Sequence, residues 1–189
     1  MFLEHKYTIE DLIKRCKAAE RKAQELLYKH FAAKMLGVCM RYATDRMEAE
    51  DMLQNGFIKV FQKIDDYRNE GSFEGWIRRI MVHSAIEYYR KHHKMLQLAA
   101  LENETNEPSV DPLVTAGLAA KDLMALIQRL SPGYRIVFNL YAIEGYSHKE
   151  IAGITGITEG ASKSQLSRAR AVLKQQIVKM EGKRYENAG

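Results

Sequence analysis

The sequence predicts an all-α protein of two small helical domains joined by a flexible acidic linker, over residues 1–95, 96–115 and 116–182 (domain, linker, domain). Three observations lead there. Every strong hydrophobic periodicity in the chain is helical, and no strand pattern survives. The periodicity dissolves between about Met95 and Thr115, where Leu101 to Pro112 holds Glu102, Glu104, Glu107, Asp111, two prolines and no basic residue. That is linker composition. The length of 189 residues, with 46% hydrophobic and 28% charged, suits two small domains that each bury a core.

Thr8 can cap a first helix, with Asp11 in its first turn and Ile9, Leu12, Ile13 and Cys16 on one face. A second helix runs from about Arg21 to Ala43, where Leu27, Phe31, Met35, Val38 and Tyr42 form a continuous stripe. Thr44 or Asp45 breaks it and can cap a third helix, about Met47 to Asp66, with Leu53, Phe57, Phe61 and Ile64 inward. Asp65 to Ser72 is turn-like, and Ser72 caps a fourth helix from Phe73 to about Lys94. Helices resume near Thr115, with Leu123, Leu126, Ile127 and Leu130 on one face. Ser131-Pro132 starts the next, whose core face is Ile136, Val137, Leu140 and Tyr141, ending at Gly145. Ser147-His148-Lys149-Glu150 is a capping box opening a short helix with Ile151 and Ile154 inward, and Gly156 ends it. Thr158 caps the last helix, about Glu159 to Met180.

The net charge of +5 favours an anionic partner only weakly; its distribution says more. From Thr44 to Glu74 four basic residues face eight acidic ones, a net of −4. From Trp76 to Lys94 five basic residues face only Glu87, and from Gly160 to Arg184 seven face only Glu181. One acidic block followed by two separated basic blocks suggests a protein contact and two polyanion contacts, against chance patterning on solvated helices. Cys16 and Cys39 both sit on apolar stripes, which reads as buried free thiols in a reducing compartment. The N-terminus carries acids within its first dozen residues and no apolar signal core, and no run of about 18 apolar residues exists. A cytoplasmic location without a membrane span is therefore expected.

The sharpest local pattern is His148 to Ser167, HKEIAGITGITEGASKSQLS. A short helix, a glycine turn and a second helix make the helix-turn-helix plan. Ala152 is small where the helices must approach, Gly156 suits the turn, and Ile157 fills the angle. In the second helix Leu166, Ala169, Leu173 and Ile177 point inward, leaving Lys163, Ser167, Arg170 and Lys174 on the opposite face. Ser164 and Gln165 lie where side chains reach base edges or phosphates, and Arg168 suits either. From the residues alone, an ordinary helical hairpin with a solvated basic face stays open.

The stretch LIQRLSPGYRIVFNLYAIEGYSHKEIAGITGITEGASKSQLSRARAVLKQQI resembles region 4 of the sigma-70 family. The resemblance rests on L-S-P-x-x-R-x-V-F-x-L, then G-x-S-x-x-E-I-A, then S-R-A-R-x-x-L. It implies an extracytoplasmic-function sigma factor whose C-terminal domain reads the −35 promoter element through Lys163, Ser164, Ser167, Arg168, Arg170 and Lys174. The chain departs from the family pattern at Ala161, where threonine is frequent, and at Gln165, often arginine. Glu48 to Tyr67 resembles region 2.2, implying core polymerase binding through Asp51, Gln54, Asn55, Ile58 and Gln62; Asn55 replaces a frequent glutamate. Tyr67 to Lys94 resembles regions 2.3 and 2.4, the −10 recognition and melting elements. By that resemblance Tyr67 stacks on an extruded base, Asn69 and Ser72 hydrogen-bond it, and Arg78, Arg79, His83, Arg90, Lys91 and Lys94 serve the strand. His83 stands where asparagine is frequent. Trp76, at helical spacing from Phe73, Ile77 and Ile80, reads as core rather than platform.

The implied function is therefore that of a sigma factor, which binds core RNA polymerase and promoter DNA, with an anti-sigma factor as a third partner the resemblance admits. The competing reading is a stand-alone helix-turn-helix transcriptional regulator. No nucleophile with a base, glycine-rich phosphate loop or ligand set is evident, so no catalytic residue, cofactor or metal is expected. His92-His93 lack the companion ligands that a metal needs.

Overall fold

The computed structural model describes residues 7–92 and 120–186, all helices, turns and loops with no strand among them. The expected linker, Lys94 and the first residues of the C-terminal domain lie outside that set. The chain divides into two compact units, Met1–Tyr88 and Tyr89–Gly189.

The first unit begins with α1, Ile9–Lys17, closed by a reciprocal capping box between Thr8 and Asp11. Leu12, Ile13 and Cys16 are its buried face. The chain turns through Ala19, which takes a positive φ of 56°. Helix α2, Arg21–Met40, has Glu20 at its N-cap without a side-chain cap bond. The Glu20 carboxylate instead accepts from Arg15 Nε at 2.6 Å, and the Arg15 guanidinium lies 4.2 Å over the Tyr7 ring. The whole expected stripe from Leu27 to Tyr42 is buried. Asp45, of the two candidate caps, accepts from Glu48 N at 2.9 Å and opens α3, Arg46–Gln62.

The periodicity predicts that α3 continues to Asp66. It ends four residues earlier and tightens into a 3₁₀ turn at Ile64–Asp66. Such a turn repeats every three residues, so Ile64 and Tyr67 both reach the core, 2% and 7% exposed. Helix α4, Phe73–His92, then returns with Phe73, Ile77, Met81, Ala85 and Ile86 buried. It passes α3 closely at Gly56, where an added Cβ would stand 2.2 Å from Met81 Sδ. Both cysteines are buried and free, and burial pushes their thiols up to about 11 at Cys16 and about 12 at Cys39. They are core residues rather than reactive thiols.

In the second unit, α5 is Ala120–Gln128, with Leu126, Ile127 and, just beyond it, Leu130 buried, while Leu123 is half-buried. Pro132 opens α6, Pro132–Phe138. Buried Arg135 donates from Nη1 to the Gln128 carbonyl at 2.8 Å, tying α6 to the end of α5. Instead of continuing as an α-helix to Gly145, the chain widens into a π turn at Asn139–Ile143. There Glu144 N donates five residues back to Asn139 O, and the Asn139 amide donates to Arg135 O, each at 2.9 Å. The extra residue in the turn rotates the side chains of this segment about the helix axis. Tyr141, expected on the core face, is 37% exposed, whereas Leu140 is fully buried. Helix α7, His148–Thr155, carries the expected capping box, and Gly156 ends it in the left-handed region at φ 82°. Helix α8, Glu159–Glu186, buries Leu166, Ala169, Leu173 and Ile177 as expected, and outruns its expected end at Met180.

Two glycine substitutions should separate packing from propensity. Glycine to alanine inside a helix gains about 1 kcal/mol of propensity, and Gly37, with nothing within 4 Å of its added Cβ, should realise much of it. At Gly56 overpacking against buried Met81, typically about 1–3 kcal/mol, should win. Urea unfolding is expected to show Gly37→Ala stabilised and Gly56→Ala destabilised; a stabilised Gly56→Ala would mean that Met81 moves aside at no cost.

Candidate polymerase and nucleic-acid interfaces

Three surfaces carry the residues singled out in the sequence. The first is the outer face of α3. Asp51, Gln54, Asn55, Ile58 and Gln62 are all exposed there. Their spacing places them opposite the buried stripe of Met52, Leu53, Phe57 and Val60. Asn55 Nδ2 donates to the Asp51 carbonyl at 2.9 Å, which holds the amide along the helix. Ile58 is 55% exposed and Met47 74%. A polar face with apolar side chains set into it suits a protein partner better than a polyanion. The carboxylates act on α4 as well. Burial first, and then Glu48, Asp51 and Asp45, push the Tyr88 phenol up from its ordinary value.

The second surface is the loop between the 3₁₀ turn and α4. Tyr67, expected as a stacking platform, is not presented to solvent. Its ring lies 4.9 Å from Phe73 and 5.5 Å from Trp76, and its hydroxyl donates to the Gly71 carbonyl at 2.8 Å. Tyr67 is thus the inner wall of the loop and braces it. Its one-sided apolar setting, between Ile64 and Phe73, was the available sequence signal for burial. Trp76, read as core, is half-buried and stacks on Phe73 at 5.5 Å with 19° between planes. Between these anchors Asn69 and Gly71 take positive φ, 59° and 92°, and Asn69 and Ser72 are exposed. Ser72 Oγ also accepts from Gly75 N at 3.1 Å, which starts α4.

A residue missed in the sequence holds this loop from behind. Lys17 Nζ, at the end of α1, donates to the Asp65 carbonyl at 3.4 Å and the Tyr67 carbonyl at 3.2 Å. No local pattern marks a contact between residues 48 and 50 positions apart.

Along α4, Arg79, His83, Arg90 and Lys91 are exposed and Arg78 is half-buried. Lys59 of α3 pairs with Glu87 at 2.5 Å. Desolvation lowers the His83 pKa; Arg79, Lys63 and Lys59 lower it further, while Glu87 opposes them. The ring is therefore neutral near pH 7, an uncharged donor and acceptor among cations.

The third surface is the helix-turn-helix. Ser147 Oγ accepts from Glu150 N while the Glu150 carboxylate accepts from Ser147 N at 2.8 Å. Thr158 Oγ1 caps α8 by accepting from Ala161 N at 3.1 Å. Lys163 and Lys174 are exposed; Ser164, Ser167, Arg168 and Arg170 are half-buried on the same helix. Gln165 departs from expectation: it is 7% exposed and belongs to the inner face next to Leu166. Glutamine at a boundary position carries no inward mark in sequence, and only the packing of α8 assigns it. His148 Nδ1 makes a 2.9 Å hydrogen bond with Oγ of fully buried Ser162, linking α7 to α8. The His148 ring stacks on Tyr141 at 4.5 Å, and the Arg170 guanidinium lies 5.7 Å over the Tyr141 ring. Among the described residues no group of three or more His, Cys, Asp or Glu side chains is arranged to hold a metal. No helix among them is long and apolar enough to cross a membrane.

Comparison with known proteins agrees with this layout. The family model for sigma-70 region 2 matches residues 27–95, and that for sigma-70 region 4 matches residues 120–173. The chain is similar to the ECF RNA polymerase sigma factor SigE of Mycolicibacterium smegmatis, 29% identical over 175 residues, which is 90% of this chain and 67% of that protein. It is also similar to the ECF RNA polymerase sigma-E factor of Haemophilus influenzae, 27% identical over 181 residues, covering 90% and 95%. Among solved structures, the sigma factor RpoE in complex with the anti-sigma factor NepR from Bartonella quintana shares the fold. Its TM-score is 0.50 at 21% identity, over 81% of this chain and 95% of that one. With the region 2 and region 4 matches falling in the right order on the two helical units, the chain belongs to the sigma-70 family, as an ECF sigma factor.

Proposed function

We propose that this sigma factor binds core RNA polymerase through the outer face of α3, captures opened −10 DNA at the loop Tyr67–Ser72 and along α4, and reads the −35 element with α8. The observation that carries this reading is the braced loop. Lys17, the Tyr67 hydroxyl and the Ser72 cap fix its backbone while Asn69 and Ser72 stay exposed, directly ahead of the cations of α4. A regulator that binds only duplex DNA has no use for such a fixed loop; a protein that opens a duplex must hold an extruded base. The functional division is residues 1–95, a linker at 96–115, and residues 116–182. The protein acts in the cytoplasm, performs no chemistry of its own, and takes no cofactor. An anti-sigma factor is a further partner, in line with the complex of the Bartonella quintana relative. The stand-alone regulator is disfavoured because the first unit matches region 2.

On the α3 face, Asp51→Arg and Gln54→Arg replace exposed polar groups by cations. Each is expected to weaken binding to core polymerase by about tenfold, equal to about 1.4 kcal/mol, with thermal stability unchanged. Wild-type affinity in both variants would remove α3 from the interface.

On α8, Arg168→Ala should cost about 1–3 kcal/mol at a −35 element if it contacts a base edge, and relax specificity there. Lys163→Ala should weaken binding evenly across sequences and reduce the salt dependence by about one counterion. Unchanged footprints over the −35 element in both variants would count against this placement.

At the loop, Tyr67→Phe keeps the packed ring and removes only the bond to Gly71; His83→Ala removes the neutral ring on α4. Both should leave core binding unchanged and reduce permanganate reactivity of −10 thymines. A template mismatched over the −10 region should rescue them, because unpairing is then prepaid. Equal defects on paired and mismatched templates would place these residues outside strand capture.

A further inference from the structure

Tyr141 is an aromatic side chain that neither the core nor the proposed DNA contacts absorb. The π turn at Asn139–Ile143 carries it out of the core, and such turns recur where function requires a local rotation. It does not project alone. One face-to-face contact joins it to His148, 4.5 Å between centroids with 21° between planes. The guanidinium of Arg170 lies 5.7 Å from its centroid, within the range of a cation–π contact. His148 is itself anchored by Ser162 Oγ at 2.9 Å. Ser162, His148, Tyr141 and Arg170 thus form a chain of side chains that leaves α8, crosses the first helix of the motif and the π turn, and returns to α8.

We propose that Tyr141 is a positioning residue for −35 recognition: its ring, set by the π turn and backed by His148, holds Arg170 in the orientation in which α8 presents it to DNA. The proposal rests on the reading that α8 contacts the −35 element. An arginine side chain loses much rotamer freedom when it is fixed at an interface. A ring that already restrains it in the free protein reduces that loss and narrows the geometry in which it meets the groove. Electrostatics supports the arrangement. Burial and the charges of Lys163 and Arg170 lower the His148 pKa, with Glu159 opposing them. A neutral imidazole does not compete with Arg170 for the electron-rich face of Tyr141.

The test uses the full-length protein with core polymerase and a duplex fragment of a promoter mapped for that holoenzyme, with its −35 element intact or scrambled. Affinities are measured for wild type, Tyr141→Phe, Tyr141→Leu, Arg170→Ala and the Tyr141→Leu/Arg170→Ala double variant. Tyr141→Leu should bind the intact fragment about two- to fivefold more weakly, the range of an exposed cation–π contact. Tyr141→Phe should restore wild-type binding, and Tyr141→Leu should add nothing once Arg170 is alanine. A Tyr141→Leu defect that is absent, that Phe does not rescue, or that persists in the Arg170→Ala background overturns the positioning role and leaves the α8 reading intact. A normal Arg170→Ala variant instead removes Arg170 from the DNA contact, and the positioning role falls with it. A measurement on the wild-type chain is independent of how the variants fold. The Arg170 methylene protons should show upfield ring-current shifts in NMR spectra, and ordinary shifts there also overturn the proposal.

Discussion

Phe31 of α2, Tyr67 of the loop, and Phe73 and Trp76 of α4 form one ring cluster, with centroids 4.9 to 5.9 Å apart between contacting pairs. Each edge or offset contact contributes about 0.5–1.5 kcal/mol beyond the area it buries. The cluster joins α2, the loop itself, and the helix after it. The Tyr67 ring fixes where the loop leaves the core, and its hydroxyl fixes Gly71 four residues on. Everything assigned to the loop depends on this. The proposed capture of an extruded base benefits, because a loop already in place need not be ordered at the moment the base unstacks.

The same economy governs the charges. Every helix of a small domain must bury one face, so each recognition surface is whatever the core leaves outside. On α3 that remainder is polar and acidic with Ile58 set into it; on α4 and α8 it is cationic. Cations crowded on one face repel each other, and the lowered pKa of His83 and of His148 keeps those rings from adding to that repulsion. A polyanion relieves the repulsion and releases its own counterions, so affinity of this kind falls steeply with salt.

The second unit solves a different problem, the angle between two short helices. Helix α7 has only eight residues, too few to be stable alone. Its capping box satisfies amide groups at the start, Gly156 permits the left-handed turn at the end, and Ser162 reaches back through His148. The π turn just upstream converts what would be a fourth core residue of α6 into a surface ring against this motif.

The sequence by itself determined the all-α class, the capping residues Thr8, Ser72, Ser147 and Thr158, the buried stripes of α2 and α8, and the helix-turn-helix with its basic face. These depend on spacing within about four residues, where hydrophobic period and side-chain-to-backbone bonds act locally. The polar outer face of α3 was legible for the same reason, as the complement of a stripe. Tertiary structure alone decided the rest. It shortened α3 into a 3₁₀ turn, turned Tyr67 inward against Phe73 and Trp76, and set Gln165 in the core. It also put Lys17 behind the loop and moved Tyr141 onto His148 and Arg170. Each of these depends on partners far apart in the chain or on a change of helical pitch. One residue of phase, as at Asn139–Ile143, moves a side chain by about a quarter turn. That phase is set by which buried neighbours must be filled, and a local pattern does not record it.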